Sequence, residues 1–74
     1  MKIYIIITTT STDGAVEVET FKDRKIAETT LRHYFTTCIT GFNVESANYT
    51  INDYKVVYFN GDWINMHLFE TEVA

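Results

Sequence analysis

The sequence predicts a two-layer α+β fold, with one helix packed on an antiparallel sheet of about five strands in the order ββαβββ. Two segments alternate apolar and polar residues around an Asp-Gly or an Asn-Gly pair, and a segment between them has helical periodicity. Asp-Gly and Asn-Gly are strong hairpin signals, because both central residues of a type I′ turn need positive φ. A chain of 74 residues is expected to form one small domain, residues 1–74.

The first hairpin is expected to turn at Asp13-Gly14 and to pair Ile7 with Thr20. Strand alternation then gathers an aliphatic set on one face, which we expect to be core: Ile3, Ile5, Ile7, Val16 and Val18. The opposite face is mixed and carries Tyr4, Ile6, Thr8, Thr10, Glu17, Glu19 and Phe21.

A helix is expected to begin near Arg24, with Asp23 as its N-cap. Apolar residues at three- and four-residue spacing form its buried stripe: Ala27, Leu31, Tyr34, Phe35, Cys38 and Phe42. Ile26 lies off the stripe, and a staple between Ile26 and Phe21 would move the cap to Lys22, so the sequence leaves two caps open. Gly41 is expected to terminate the helix in a left-handed conformation.

A third strand is expected around Ala47, Tyr49 and Ile51, followed by a second hairpin that turns at Asn60-Gly61. With a two-residue turn, Tyr58 faces Trp63 and Tyr54 faces His67. The aliphatic side of this hairpin is the predicted core face: Val57, Phe59, Ile64, Met66 and Leu68. The other side is left for solvent or a partner and carries Tyr54, Tyr58, Trp63, His67 and Phe69.

Charge and composition exclude several functions. Six Lys and Arg residues against ten Asp and Glu residues give a net charge of −4, which argues against direct binding of nucleic acid or of an anionic membrane. The apolar run from Ile3 to Ile7 is too short for a signal-peptide core or a spanning helix. A single cysteine rules out an internal disulfide framework. We therefore expect a cytoplasmic protein.

The sequence offers little for catalysis. It has no glycine-rich phosphate loop and no zinc-binding spacing, so no cofactor and no metal are expected. Cys38 lies near the helix C-terminus, where the helix dipole disfavours a thiolate, and is expected to serve packing. His67 beside Tyr54 has no accompanying nucleophile, which makes an enzyme based on His67 the least favoured hypothesis.

Two carboxylate pairs, Glu17 with Glu19 and Glu70 with Glu72, each project from one strand face. Their spacing of about 6–7 Å approaches that of successive phosphates, which allows nucleic-acid mimicry. Charges that deter edge pairing of a solvated strand are the more usual explanation, and a net charge of −4 is small for a mimic.

The aromatic side of the second hairpin is the best functional feature. Tyr and Trp dominate interface hot spots, because they bury much area with few rotamers. Cross-strand aromatic pairs also stabilise a hairpin without any partner. We expect this side to contact a protein partner, with Glu17 and Glu19 meeting basic residues there, or to form a homodimer.

An opening strand (MKIYIII), one central helix and a closing hairpin with an aromatic after its turn (NGDW) complete the architecture. This layout resembles the small inhibitors of host defence that phages and mobile elements encode, including some anti-CRISPR proteins. The resemblance implies a non-catalytic inhibitor that occludes a surface of a nucleic-acid-handling host enzyme, and no site residues are carried over from it.

Overall fold

A computed structural model describes residues 1–12, 14, 16–41 and 43–73. The elements in chain order are β1 (Lys2–Thr10), β2 (Val16–Phe21), α1 (Arg24–Ile39), β3 (Val44–Tyr49), β4 (Asp53–Tyr58) and β5 (Trp63–Glu72). The predicted α+β fold and the order ββαβββ are confirmed, with α1 packed on a five-stranded antiparallel sheet.

The strand order in the sheet is β2-β1-β5-β4-β3. The last strand along the chain, β5, therefore lies in the middle, between β1 and β4. Its pairing with β1 runs from Lys2 opposite Glu72 to Thr10 opposite Ile64. The two edges of the sheet are β2 and β3.

The helix begins and ends where the sequence indicates. The Asp23 carboxylate accepts a hydrogen bond of 3.1 Å from the Ile26 amide, so Asp23 is the N-cap and the alternative cap at Lys22 is wrong. Ile26 is 57% exposed, as expected for a residue off the apolar stripe. Gly41 has a φ of +76° just past the helix end, and the predicted stripe position Phe42 lies outside the described residues.

The core lies between α1 and one face of the sheet. Its buried residues are Ile6, Ala27, Leu31, Tyr54, Val56, Met66 and Leu68. The predicted core face of the first hairpin is therefore wrong: Ile6 is 1% exposed, whereas Val18 on the aliphatic face is 61% exposed. The helix α1 covers the face of the sheet on which β4 and β5 carry their buried apolar side chains.

The register of the second hairpin explains this choice of face. Its loop has three residues, 59–61, because the Tyr58 amide donates to the Asp62 carbonyl at 2.8 Å and the Gly61 amide donates to the Tyr58 carbonyl at 2.9 Å. Gly61 takes a φ of +93° in this loop. The predicted pairing of Tyr58 with Trp63 is wrong, and Val57 lies opposite Trp63 instead.

A change of one residue in the pairing register moves the side chains of one strand to the opposite face relative to the side chains of its partner strand. Tyr54 now pairs with Met66, and both point towards α1. The polar residues of the hairpin fall on the other face, where Asp53 lies opposite His67 and Lys55 lies opposite Asn65.

The first hairpin also differs from its predicted register, since Ile7 pairs with Val18 and not with Thr20. This slip is two residues, so the side chains that were predicted to share a face still do. Asp13 of the predicted turn lies outside the described residues, while Gly14 has a φ of +67°.

Candidate functional site

The candidate site is the sheet face opposite α1, which we call the open face. Strand register and burial place one continuous group of apolar residues on its β2, β1 and β5 portion. We call this group the apolar patch: Ile3, Ile5, Ile7, Val16, Val18 and Phe69. No helix or strand of the described residues covers this face, because α1 lies on the other one.

The apolar patch is held together by cross-strand contacts. Phe69 lies opposite Ile5, and Ile7 lies between Val18 on one side and His67 on the other. The His67 and Phe69 rings pack with their centroids 4.2 Å apart. Phe69 remains 43% exposed, so its ring is available to another molecule.

The β4 side of the open face is polar. The Asp53 carboxylate lies 3.7 Å from Nδ1 of His67, and the Lys55 ammonium lies 5.4 Å from the centre of the Trp63 ring. Trp63 therefore sits on the open face opposite Val57, and Asn65 and Thr9 lie between it and the apolar patch. Among the described residues, the contacts of the His67 ring are with the Asp53 carboxylate and the Phe69 ring.

Tyr54 and Tyr58 lie beneath α1, so the predicted aromatic site is divided between the two faces of the sheet. The Tyr54 hydroxyl donates to Sδ of Met66 at 2.8 Å and lies 3.5 Å from Sγ of Cys38. The Tyr58 hydroxyl donates to the Cys38 carbonyl at 2.9 Å. Burial is the main cause that raises the pKa of both phenols, and Cys38 raises the pKa of each further.

Glu17 and Glu19 lie on β2 and point to the helix side of the sheet, opposite Thr8 and Ile6. The Tyr34 hydroxyl donates to Oε1 of Glu19 at 2.8 Å, and this hydrogen bond is the first cause that raises the pKa of Tyr34. Neither carboxylate forms an ion pair with any described residue.

The other carboxylate pair has cationic neighbours. Glu70 lies 3.5 Å from the Lys2 ammonium and 3.3 Å from the Arg24 guanidinium. Glu72 lies 3.6 Å from the N-terminal ammonium. Glu70 and Glu72 therefore belong to ion pairs within the chain.

Sequence reasoning placed Trp63, His67 and Phe69 on an uncovered face, and all three lie on the open face. His67 and Phe69 are in contact, whereas Asn65 separates Trp63 from them along β5. It missed the aliphatic part of the site, namely Ile3, Ile5, Ile7 and Val18, because these residues were assigned to the core. The signal that could have found them is the distribution of Asp53, Lys55, Asn65 and His67. Once the hairpin register is known, these polar residues mark the face that a helix does not cover.

Comparison with protein families, curated proteins and solved structures gives no match for this chain. Within the described residues, no helix combines the length and the apolar character needed to span a bilayer.

Proposed function

We propose that this chain is a non-catalytic protein-binding inhibitor, whose open face covers a functional surface of a partner protein. The observation that carries the proposal is the apolar patch, a contiguous group of Ile, Val and Phe side chains opposite the single helix layer. Contiguous apolar patches on a small protein mark interaction sites.

The size of the open face supports a protein as the partner. Five strands at about 4.8 Å spacing give a width of about 24 Å, and strands of this length extend over about 20–33 Å. The face therefore measures about 500–800 Å². A standard protein interface buries about 800 Å² on each partner, so the face is large enough for most of one side.

The open face has the composition of a protein interface, with aromatic and apolar residues at its centre and polar residues at its rim. Phe69 and Trp63 supply aromatic rings, and the isoleucines of β1 supply apolar surface beside Phe69. Asp53 and Lys55 lie at the β4 side, where they can form hydrogen bonds at the rim of an interface.

The class of partner follows from charge. Surfaces that bind nucleic acid are basic, because they neutralise phosphates, and an acidic protein of net charge −4 is attracted to them. An enzyme that handles nucleic acid, blocked in the manner of the phage inhibitors that the chain resembles, is the partner that we propose.

The test compares three tagged proteins in affinity capture from candidate host extracts: wild type, Phe69→Ser and Ile26→Ser. Ile26 is the matched control, since it is 57% exposed on α1 and lies away from the open face. We expect a nucleic-acid enzyme to be retained by wild type and by Ile26→Ser and to be lost with Phe69→Ser. The purified enzyme should be inhibited by the same two proteins.

Circular dichroism first establishes that Phe69→Ser is folded. If folded Phe69→Ser captured and inhibited the enzyme as well as wild type does, the open face would not be the binding surface. If wild type bound the enzyme without reducing its activity, the inhibitor function would be wrong and binding alone would stand.

A homodimer through the open face is the second candidate. The apolar patch itself contains no charged residue, so two copies meet no electrostatic barrier there. Sedimentation equilibrium tests this alternative, because a dimer of wild type that becomes a monomer in Phe69→Ser would support it. A wild-type monomer at high protein concentration would contradict it.

A further inference from the structure

The two edges of the sheet differ in regularity. β2 pairs with β1 through six consecutive residue pairs, from Tyr4 opposite Phe21 to Thr9 opposite Val16, without a register shift. β3 instead has a register shift between Val44 and Ser46 where it pairs with β4. A register shift of this kind disfavours the addition of a further strand, so β2 is the edge better suited to pairing.

The acidic side chains of β2 disfavour pairing with a second copy. Two β2 strands related by a two-fold axis would pair antiparallel, and residues opposite each other would share a face. In the registers that pair most of the strand, Glu17 lies opposite Glu19 of the other copy, or one of them lies opposite itself. Like charges in directly opposed positions destabilise the pair.

The same carboxylates suit a partner strand with positive charges. Both point to the helix side of β2, and neither has a cation within the described residues. The Tyr34 hydroxyl occupies only Oε1 of Glu19 and leaves the second oxygen available.

A groove beside these carboxylates provides room for a long side chain. It has a volume of about 500 Å³, and its lining includes Thr8, Glu17, Glu19 and Tyr34, with Ile6 and Met66 beneath them. An apolar floor with carboxylates at the rim fits Lys or Arg, whose aliphatic stem packs on apolar surface while its charged end stays near the carboxylate.

We propose that the β2 edge binds an extended segment of a partner protein that carries Lys or Arg at alternate positions. The segment adds a strand to the sheet through main-chain hydrogen bonds, and its basic side chains lie over Glu17 and Glu19 in the groove. This inference goes beyond the open face, because it concerns a different surface and a defined partner chemistry.

The probe is a capped peptide with the sequence Thr-Lys-Val-Lys-Val-Thr, added at millimolar concentration to the isotope-labelled protein. We expect amide resonances of Val16, Val18 and Thr20 to shift, with little change on β3. A peptide with Glu in place of both Lys residues should bind at least about fivefold more weakly, since two opposed ion pairs are lost.

Two matched controls separate charge from strand addition. The double variant Glu17→Lys with Glu19→Lys should reverse the preference and bind the Glu peptide more tightly than the Lys peptide. A Lys peptide with its backbone nitrogens methylated at alternate positions should lose binding, because those nitrogens no longer donate to the edge.

The proposal is overturned if the Lys peptide shifts no β2 amide, or if the Lys and Glu peptides bind equally. It is also overturned if the methylated peptide binds as well as the unmodified one. The variant Phe69→Ser should leave peptide binding unchanged, so failure of the open face and failure of the β2 edge give different results.

Discussion

At the residue scale, Leu31 shows what α1 contributes to the fold. Its side chain is fully buried and packs with Ile6, Tyr54 and Val56 in the core between the helix and the sheet. In a small domain of this size, each such side chain supplies a large share of the buried apolar area.

We therefore predict that Leu31→Ala lowers the free energy of unfolding by about 2–5 kcal/mol, because it leaves a cavity that neighbours fill incompletely. The matched control is Ile26→Ala on the same helix, at a position that is 57% exposed. The control should change stability by no more than about 0.5 kcal/mol. Urea unfolding followed by Trp63 fluorescence measures both, and equal losses would contradict the helix placement.

Three phenols predict how the stability of the fold depends on pH. Folding raises the pKa of Tyr34, Tyr54 and Tyr58, so the folded state holds these protons more firmly than the unfolded chain does. Above the unfolded value of about 10, the unfolded chain binds fewer protons, and stability falls as pH rises. Below about pH 10, this contribution is fully present.

We predict that the unfolding free energy of wild type decreases above about pH 10 and that Tyr54→Phe makes this decrease less steep. Tyr49→Phe is the matched control, since it retains all three of those hydroxyls and should keep the wild-type slope. Denaturant unfolding at a series of alkaline pH values supplies the slopes. An unchanged slope in Tyr54→Phe would show that its hydroxyl is not buried as described.

At the element scale, the loop of the second hairpin sets the faces of the whole sheet. Residues 59–61 connect Tyr58 to Asp62, and Phe59 is 71% exposed in that loop. Removing Phe59 leaves Asn60-Gly61 as a two-residue connection between the same two ends, which is the length that an Asn-Gly type I′ turn prefers.

We predict that deletion of Phe59 keeps Tyr54 opposite Met66 and changes stability by about 1 kcal/mol or less, because no core contact is lost. Nuclear Overhauser contacts between β4 and β5 measure the register directly. Deletion of Asn65 within β5 is the comparison, since it shifts part of that strand by one residue and should unfold or rearrange the sheet. Contacts between Tyr54 and His67 in the Phe59 deletion would contradict this account.

The elements were predictable because their signals are local. Asp23 caps the start of the helix with its own side chain. The spacing of Ala27 and Leu31 defines the buried stripe of the helix, and it can be recognised without knowing how the sheet is arranged. Gly41 likewise ends the helix through its backbone freedom.

The sequence did not predict which side chains of the sheet face α1, because this depends on the pairing register of the strands. The first hairpin differs from its predicted register by two residues, so the same side chains still share a face. The second differs by one residue, so the side chains of β4 lie on the opposite face from the one predicted, while those of β5 keep their predicted face. An Asn-Gly pair is compatible with a two-residue loop and with a three-residue loop that has glycine at its end. That single ambiguity moved Tyr54 into the core and Tyr58 to the helix side of the sheet, away from the expected partner site.

At the scale of the whole molecule, the strand order predicts where stability is concentrated. β1, β5 and β4 each have a strand on both sides, while β2 and β3 each have one neighbour. Opening an edge strand breaks fewer main-chain hydrogen bonds than opening a central one.

We predict that amide hydrogens of β1 and β5 exchange most slowly and that those of β2 and β3 exchange faster. Exchange measured by nuclear magnetic resonance resolves each strand, and β1 amides bonded to β5 serve as the internal comparison for those bonded to β2. Equally fast exchange in β5 and β3 would contradict the central position of β5.

The central position of the final strand also affects synthesis. A ribosome delivers the β1–β2 and β3–β4 hairpins before β5 emerges, and the two hairpins do not pair with each other in the finished sheet. Isolated hairpins are only marginally stable in water, so this sheet stays largely unfolded until β5 is available. We therefore expect nascent chains that stall before β5 to be recognised by chaperones and proteases.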